Sequence, residues 1–232
     1  MVFGGVQKNS FIDYPGKMSC VLFVTGCNFD CPYCHNPGLV RGGNTCPNQL
    51  SEEDVCCFLQ KRKGFLDGVV ISGGEPTLRQ DLADVCKKIK SMGYPVKLDT
   101  NGSRPQVLKR LLNEGVVDYV AMDIKSDPLA YSPLIAKEED SRGILESILV
   151  IMESAPAYEF RTTCVKPIVD AEIIVNIARL ISGAMLYVLQ RFNHTEVLHP
   201  SFFRETGAEY EEQELARMKD LADPWVKKCI LR

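Results

Sequence analysis

The sequence predicts an α/β fold built on a parallel sheet. Three observations carry that prediction: short apolar runs rich in β-branched residues recur along the chain, amphipathic helical stripes separate them, and 232 residues leave room for six such pairs. Ser19 to Gly26, Gly68 to Ser72, Pro95 to Thr100, Val116 to Lys125, Glu159 to Lys166 and Ala184 to Phe192 read as the strands. They are mostly apolar rather than alternating, as strands covered on both faces are. A closed barrel of eight units takes about 250 residues, so six units imply an open, partly closed barrel or a doubly wound sheet. Either architecture puts a ligand at the strand C-termini.

The helices follow in order. Ser51 with Asp54 marks a helix start, and Leu82, Val85, Cys86, Ile89 and Met92 form an apolar stripe closed by Gly93. Ser103 and Gln106 match a capping box with Pro105 in the first turn, and Leu108, Leu111 and Leu112 lead to Gly115 as the stop. Ile144, Leu145, Ile148, Ile151 and Met152 make another stripe, and Ile173, Ile174, Ile177 and Ile181 a further one. No internal repeat or Gly/Ser linker divides the chain, so residues 1–232 read as a single domain.

Composition narrows the function classes. With 27 basic and 30 acidic side chains, a net charge of −3 and 45% hydrophobic residues, the chain is neither disordered nor fibrous. Its balance gives no electrostatic ground for a nucleic-acid partner or a polybasic membrane anchor. The first 17 residues include Lys8, Asn9, Asp13 and Pro15 and lack the apolar core of a secretory signal. Glu172 to Gln190 is interrupted by Asn176 and Arg179, so no membrane span and a cytoplasmic location are expected. In that reducing compartment ten cysteines are not a disulfide framework.

Seven cysteines are scattered and read as buried thiols, but Cys27, Cys31 and Cys34 lie in one short loop after the first predicted strand. Gaps of three and two residues let the loop point three thiolates at one centre, which suits an iron–sulfur cluster with one iron left open. The alternatives are simple burial or a structural zinc with His35 as fourth ligand, whose position beside Cys34 is poor for closing a tetrahedron. Three further strand ends carry polar groups to the same mouth: Ser72-Gly73-Gly74-Glu75, Asp99-Thr100-Asn101-Gly102 and Asp123-Ile124-Lys125. Glycines at 73 and 74 allow a backbone to approach a ligand closely, and Glu75 orders that turn or meets a ligand ammonium. Asp99 and Lys125 alone would read as members of local ion pairs.

The Cys27-x3-Cys31-x2-Cys34 spacing resembles the signature of the radical S-adenosylmethionine superfamily, and Gly73-Gly74-Glu75-Pro76 resembles that family's second motif. The resemblance implies a partial (β/α)6 TIM-like barrel, open laterally. It implies a 4Fe-4S cluster on the three cysteines in loop 27–34, with S-adenosylmethionine chelating the unique iron and Tyr33 against the adenine. Asp99 to Gly102, Asp123 and Lys125 resemble motifs of activating enzymes for glycyl-radical proteins, where the matching aspartates and lysine contact the cofactor. By the same resemblance Asn101 joins the cofactor-binding set, and Asp99, Thr100, Asp123 and the Ala121 carbonyl form a candidate Na+ or K+ site, since two facing carboxylates need a counter-charge. Arg161 and Gln190 either reach the cofactor or face solvent, and His194 either lies near the sugar or sits at the surface.

Cys34-His35-Asn36-Pro37 and Asn9-Ser10-Phe11-Ile12-Asp13-Tyr14-Pro15-Gly16-Lys17 are most similar to anaerobic ribonucleoside-triphosphate reductase activating proteins. The implied activity is reductive cleavage of S-adenosylmethionine to a 5′-deoxyadenosyl radical, which takes hydrogen from a glycine of a glycyl-radical enzyme. The implied electron donor is a flavodoxin or ferredoxin-type protein. The N-terminal segment and the polar stretch Glu205 to Arg217 are candidate docking surfaces. The alternatives are a radical enzyme acting on a small molecule or nucleoside, similar to carboxy-deazaguanine synthase, and a non-catalytic zinc module.

Overall fold

The computed structural model of the chain describes residues 1–41, 46, 49–131, 135, 141–193, 195–203 and 207–232. Eight strands form one sheet: β1 (Phe3–Ser10), β2 (Ser19–Val24), β3 (Gly68–Gly73), β4 (Val96–Thr100), β5 (Tyr119–Asp123), β6 (Tyr158–Cys164), β7 (Tyr187–Arg191) and β8 (Cys229–Leu231). Their spatial order is their chain order. β1 runs antiparallel to β2, and every later neighbour is parallel. A doubly wound sheet reverses its strand order at a switch point. This sheet never does, so that alternative is corrected.

Helices α2 (Glu52–Lys61), α3 (Leu82–Ser91), α4 (Pro105–Asn113), α5 (Ser141–Ser154), α6 (Ala171–Leu180) and α7 (Glu212–Ala222) fall one by one between consecutive strands from β2 to β8, and α1 (Pro37–Arg41) follows the cysteine loop. Among the described residues β1 and β8 pair with β2 and β7 and not with each other, so the sheet stays open. The six predicted strands correspond to β2 through β7. The sequence reading missed β1, whose two glycines and exposed Gln7, Lys8 and Asn9 give no apolar pattern, and the three-residue β8.

Side-chain alternation gives the sheet two unlike faces. Leu22, Ile71, Leu98, Met122, Phe160 and Leu189, one from each strand β2 to β7, are fully buried in the main hydrophobic core. The intervening positions carry Ser72, Asp99, Asp123, Arg161 and Gln190 to the other face, where they border a common cleft.

The helix ends follow the sequence in all but one case. Ser51 and Asp54 close a capping box on α2, and Asp170 caps α6 by accepting from the Ile173 amide at 2.8 Å. The capping box expected at Ser103 does not form: α4 begins after Arg104, the Ser103 hydroxyl is buried without a partner, and Gln106 donates to Glu146 at 2.7 Å instead. Pro105 at the first helical turn suffices to start that helix. No helix among the described residues is long and apolar enough to cross a membrane.

Candidate active site

The cysteine loop leaves the end of β2 and is fastened on several sides by backbone hydrogen bonds. The Gly74 and Glu75 amides donate to the Val24 and Gly26 carbonyls at 2.8 Å each, stitching the turn after β3 to the loop. The Asp30 amide donates to the Ile135 carbonyl at 2.9 Å, and the Leu198 and His199 amides donate to the Cys34 and Pro32 carbonyls at 3.0 and 3.1 Å. His199 also places its Nε2 3.3 Å from Asp30. His35 stacks on Phe192 with ring centroids 5.4 Å apart, and its Nε2 lies 3.0 Å from the Asn193 carbonyl. Those contacts engage the imidazole away from the thiols, which counts against His35 as a zinc ligand.

Cys27, Cys31 and Cys34 border one cleft of about 300 Å³. Burial pushes the Cys27 thiol up to about 11 and the Cys31 thiol up to about 12. Metal binding must displace those protons, because the thiolate is the ligand. Among the described residues no three His, Cys, Asp or Glu side chains converge on a single ion. Thiolates that each hold a different iron of a cluster need not converge so closely.

Two observations test whether the cleft fits a polar organic cofactor. The Tyr33 hydroxyl, on the cleft wall and 4% exposed as a residue, is buried without a hydrogen-bond partner, an arrangement that costs free energy unless a ligand or water meets it. Gly73 and Gly74 also border the cleft and expose backbone there. Their glycine identity has a further cause that the sequence did not reveal. A Cβ on Gly74 would stand 2.0 Å from the Gly26 carbonyl oxygen, and one on Gly73, at φ +116°, would stand 2.4 Å from the Val24 nitrogen. The two strand ends approach too closely for any side chain.

Glu75 is fully buried and does not border the cleft. It accepts from the Thr77 amide at 3.0 Å, the Thr77 hydroxyl, the Thr100 hydroxyl at 2.8 Å and the Asn101 amide at 2.7 Å. Burial pushes its carboxyl up, and those donors oppose the shift. Of its two expected roles, ordering the turn is the one this geometry serves. Asn101 continues the link: its side-chain nitrogen donates to Asn28 Oδ1 at 3.0 Å and lies 3.9 Å from Cys27 Sγ.

The far wall is a row of alternating charges. Arg161 donates through Nε to Asp123 at 2.7 Å and through Nη1 to Asp99 at 3.3 Å. Lys125 Nζ donates to Asp123 at 2.9 Å, Ser72 donates to Asp99 at 3.1 Å, and Lys97 pairs with Asp99 from below. Burial would raise both aspartates, but Arg161 outweighs it, with Lys97 at Asp99 and Lys125 at Asp123, and holds both carboxyls below the usual range. Burial likewise works against the Lys125 ammonium, and Asp123 together with Tyr33 and Cys31 more than offsets it.

This row supplies a counter-charge from the chain itself at the place where a monovalent cation was expected. The counter-charge between Asp99 and Asp123 is Arg161, a residue of the chain itself, and Thr100 turns its hydroxyl to Glu75. Ala121, within β5, is buried and is not part of the cleft wall. Arg161 does not face solvent, and Gln190 lines the cleft beside Thr163 and Arg191. His194 lies outside the described residues, as do the first positions of the expected docking stretch, 205 and 206. Sequence reasoning missed Lys97 and Glu159, although they occupy alternate positions on the same sheet face as Asp99 and Arg161, which it singled out.

Residues 21–180 match the sequence pattern of the radical SAM superfamily. A protein of Methanocaldococcus jannaschii, named provisionally as a glycyl-radical enzyme activating enzyme, is 34% identical over 236 residues, covering 98% of this chain and 94% of its own. A second protein of that organism with the same provisional name is 30% identical over 190 residues, covering 78% of this chain and 69% of its own. The crystal structure of Streptococcus suis SuiB matches 91% of this chain with a TM-score of 0.67 at 13% identity, and this chain spans 48% of that one. At that identity the likeness concerns the fold alone.

Proposed function

Because the chain belongs to the radical S-adenosylmethionine superfamily, we propose that it is an activating enzyme for a glycyl-radical enzyme, of the kind represented by anaerobic ribonucleotide reductase. The observation that carries this reading is a relative of matching length named for that activity. The open sheet is read as a partial (β/α)6 barrel, with Cys27, Cys31 and Cys34 holding a 4Fe-4S cluster at its mouth. The chemistry supplied by cluster and S-adenosylmethionine when bound is one-electron reductive cleavage of the sulfonium, yielding methionine and a 5′-deoxyadenosyl radical that takes hydrogen from a glycine Cα of the partner.

The chain's own residues bind and orient. The exposed backbone of Gly73 and Gly74 receives the methionine ammonium, and Tyr33 lies against the adenine with its unpartnered hydroxyl free to bond the ligand. Arg161 and Lys125, each anchored by aspartate, present fixed positive charge to the methionine carboxylate. Asn101 and Gln190 border the ribose, and Asp99 and Asp123 act on the cofactor through the two cations they orient. The target is a backbone hydrogen, so no acid–base pair or nucleophile is required of the protein.

Anaerobic reconstitution tests the reading in steps. The wild type should become a brown iron–sulfur protein that forms 5′-deoxyadenosine on reduction, and Cys31→Ala should bind no cluster. Co-incubation with a candidate glycyl-radical enzyme should give a glycyl radical signal by electron paramagnetic resonance. An intact cluster in Cys31→Ala would sink the site, while 5′-deoxyadenosine formation with no radical on any such partner would sink the activase assignment.

A further inference from the structure

Directly beneath the charged wall of the cleft, on the same face of the sheet, lie two ionisable side chains that the proposed chemistry does not use. Lys97 in β4 and Glu159 in β6 are both fully buried, and neither borders the cleft. The Lys97 ammonium pairs with Asp99 Oδ1 and stands 5.8 Å from the centroid of the Tyr119 ring. Glu159 accepts from Arg232 Nη1 and Nη2 at 3.3 and 3.2 Å and from the Tyr119 hydroxyl at 3.4 Å, and lies 3.9 Å from Arg161 Nη1. The charged wall therefore continues downward as a buried ladder.

An ammonium at that depth gives up its hydration, and an apolar side chain of similar length would fill the space without that loss. What lysine adds over methionine is a fixed positive charge, and what that charge touches is Asp99. The other oxygen of Asp99 is taken by Arg161 at 3.3 Å and Ser72 at 3.1 Å, so lysine below and arginine beside hold the carboxylate from both oxygens. Asp99 and Asp123 in turn grip the Arg161 guanidinium from two sides. Among Lys97, Lys125, Arg161, Asp99 and Asp123 three positive charges stand against two negative, while Glu159 beside Arg161 is matched by Arg232, so losing Lys97 removes one positive charge from the network.

We infer that Lys97 is a positioning residue for the S-adenosylmethionine site, acting through Asp99 to fix Arg161 and to keep the wall net cationic. The inference rests on the reading of the cleft as that site. It predicts that Lys97 and Asp99 are energetically coupled in ligand binding, which a merely space-filling lysine is not.

The test is a double-mutant cycle on the full chain, reconstituted anaerobically, with S-adenosylmethionine affinity read by equilibrium dialysis and iron content measured alongside. Lys97→Met should weaken binding about tenfold, within the range of coupling in one charge network, at unchanged iron content. In an Asp99→Asn background the same change should alter affinity less than about twofold. That background also answers misfolding, because the Lys97→Met, Asp99→Asn pair leaves no lone buried charge at these positions. Equal losses in both backgrounds, or an unchanged affinity in Lys97→Met, would overturn the inference while leaving the site assignment standing. A wild type that loads iron but binds no S-adenosylmethionine overturns the site assignment itself.

Discussion

At Gly74 the distance between two backbones decides the residue. A Cβ there would meet the Gly26 carbonyl oxygen at 2.0 Å, and backbone cannot rotate away as a flexible side chain can. Gly74→Ala should therefore lower unfolding stability by about 3 kcal/mol, the upper range for overpacking, whereas Gly5→Ala, with open space around its Cβ, should stay within about 0.5 kcal/mol. Urea denaturation of both variants checks this, and equal effects would remove the close approach as the cause. Asp123 gives a signed pH effect. Its carboxyl lies well below the ordinary 3.8 because Arg161 and Lys125 outweigh burial, so its contribution to stability is present above that value and lost as pH falls through the folded one. Asp123→Asn should make the fall in stability below about pH 4 shallower than in the wild type, and an acid limb as steep as the wild type's in denaturation curves taken from pH 6 down would contradict it. The sequence marked both residues for the right place. It could not show that Gly74 is needed against the chain itself, nor that Arg161 already balances Asp99 and Asp123, because both facts depend on contacts between strands far apart in sequence.

Element by element, legibility followed how local the cause is. The strands β2 to β7 and the stripes of α3, α5 and α6 are encoded in periodicity within a dozen residues, and they were readable. β1 and β8 were not, since an edge strand is defined by its neighbour's register rather than by its own pattern: Gln7 pairs with Val21 while its side chain stays exposed. The two capping motifs make the distinction measurable. Ser51 accepts from the Asp54 amide at 3.1 Å and Asp54 returns the bond to the Ser51 amide at 2.9 Å, so Ser51→Ala should cost about 1 kcal/mol. Ser103 fits the same motif by sequence, yet its hydroxyl is buried without a partner, so Ser103→Ala should be neutral or stabilising by up to about 1 kcal/mol. Thermal unfolding of the two variants distinguishes them, and a comparable loss at Ser103 would mean that the expected cap forms after all.

On the scale of the whole molecule, the open sheet leaves the cleft as the place where its strands are tied together. Cys27 after β2, Gly73, Asp99, Asp123, Arg161 and Gln190 bring six successive strand ends to one cavity. In an unfolded chain those residues are scattered over more than 160 positions, so a ligand of this cleft binds the native state and not the unfolded one. Linkage then gives a stabilisation of about 2.7 kcal/mol at a ligand concentration one hundred times Kd. For a chain of this length that is a rise in Tm of roughly 5–10 °C. Scanning calorimetry of the reconstituted protein with and without S-adenosylmethionine reads the shift directly, and Cys31→Ala, which on the proposed reading holds no cluster, should show much less of it. A wild type whose Tm does not move at saturating S-adenosylmethionine would separate the cavity from the ligand and leave the six strand ends converging for some other purpose.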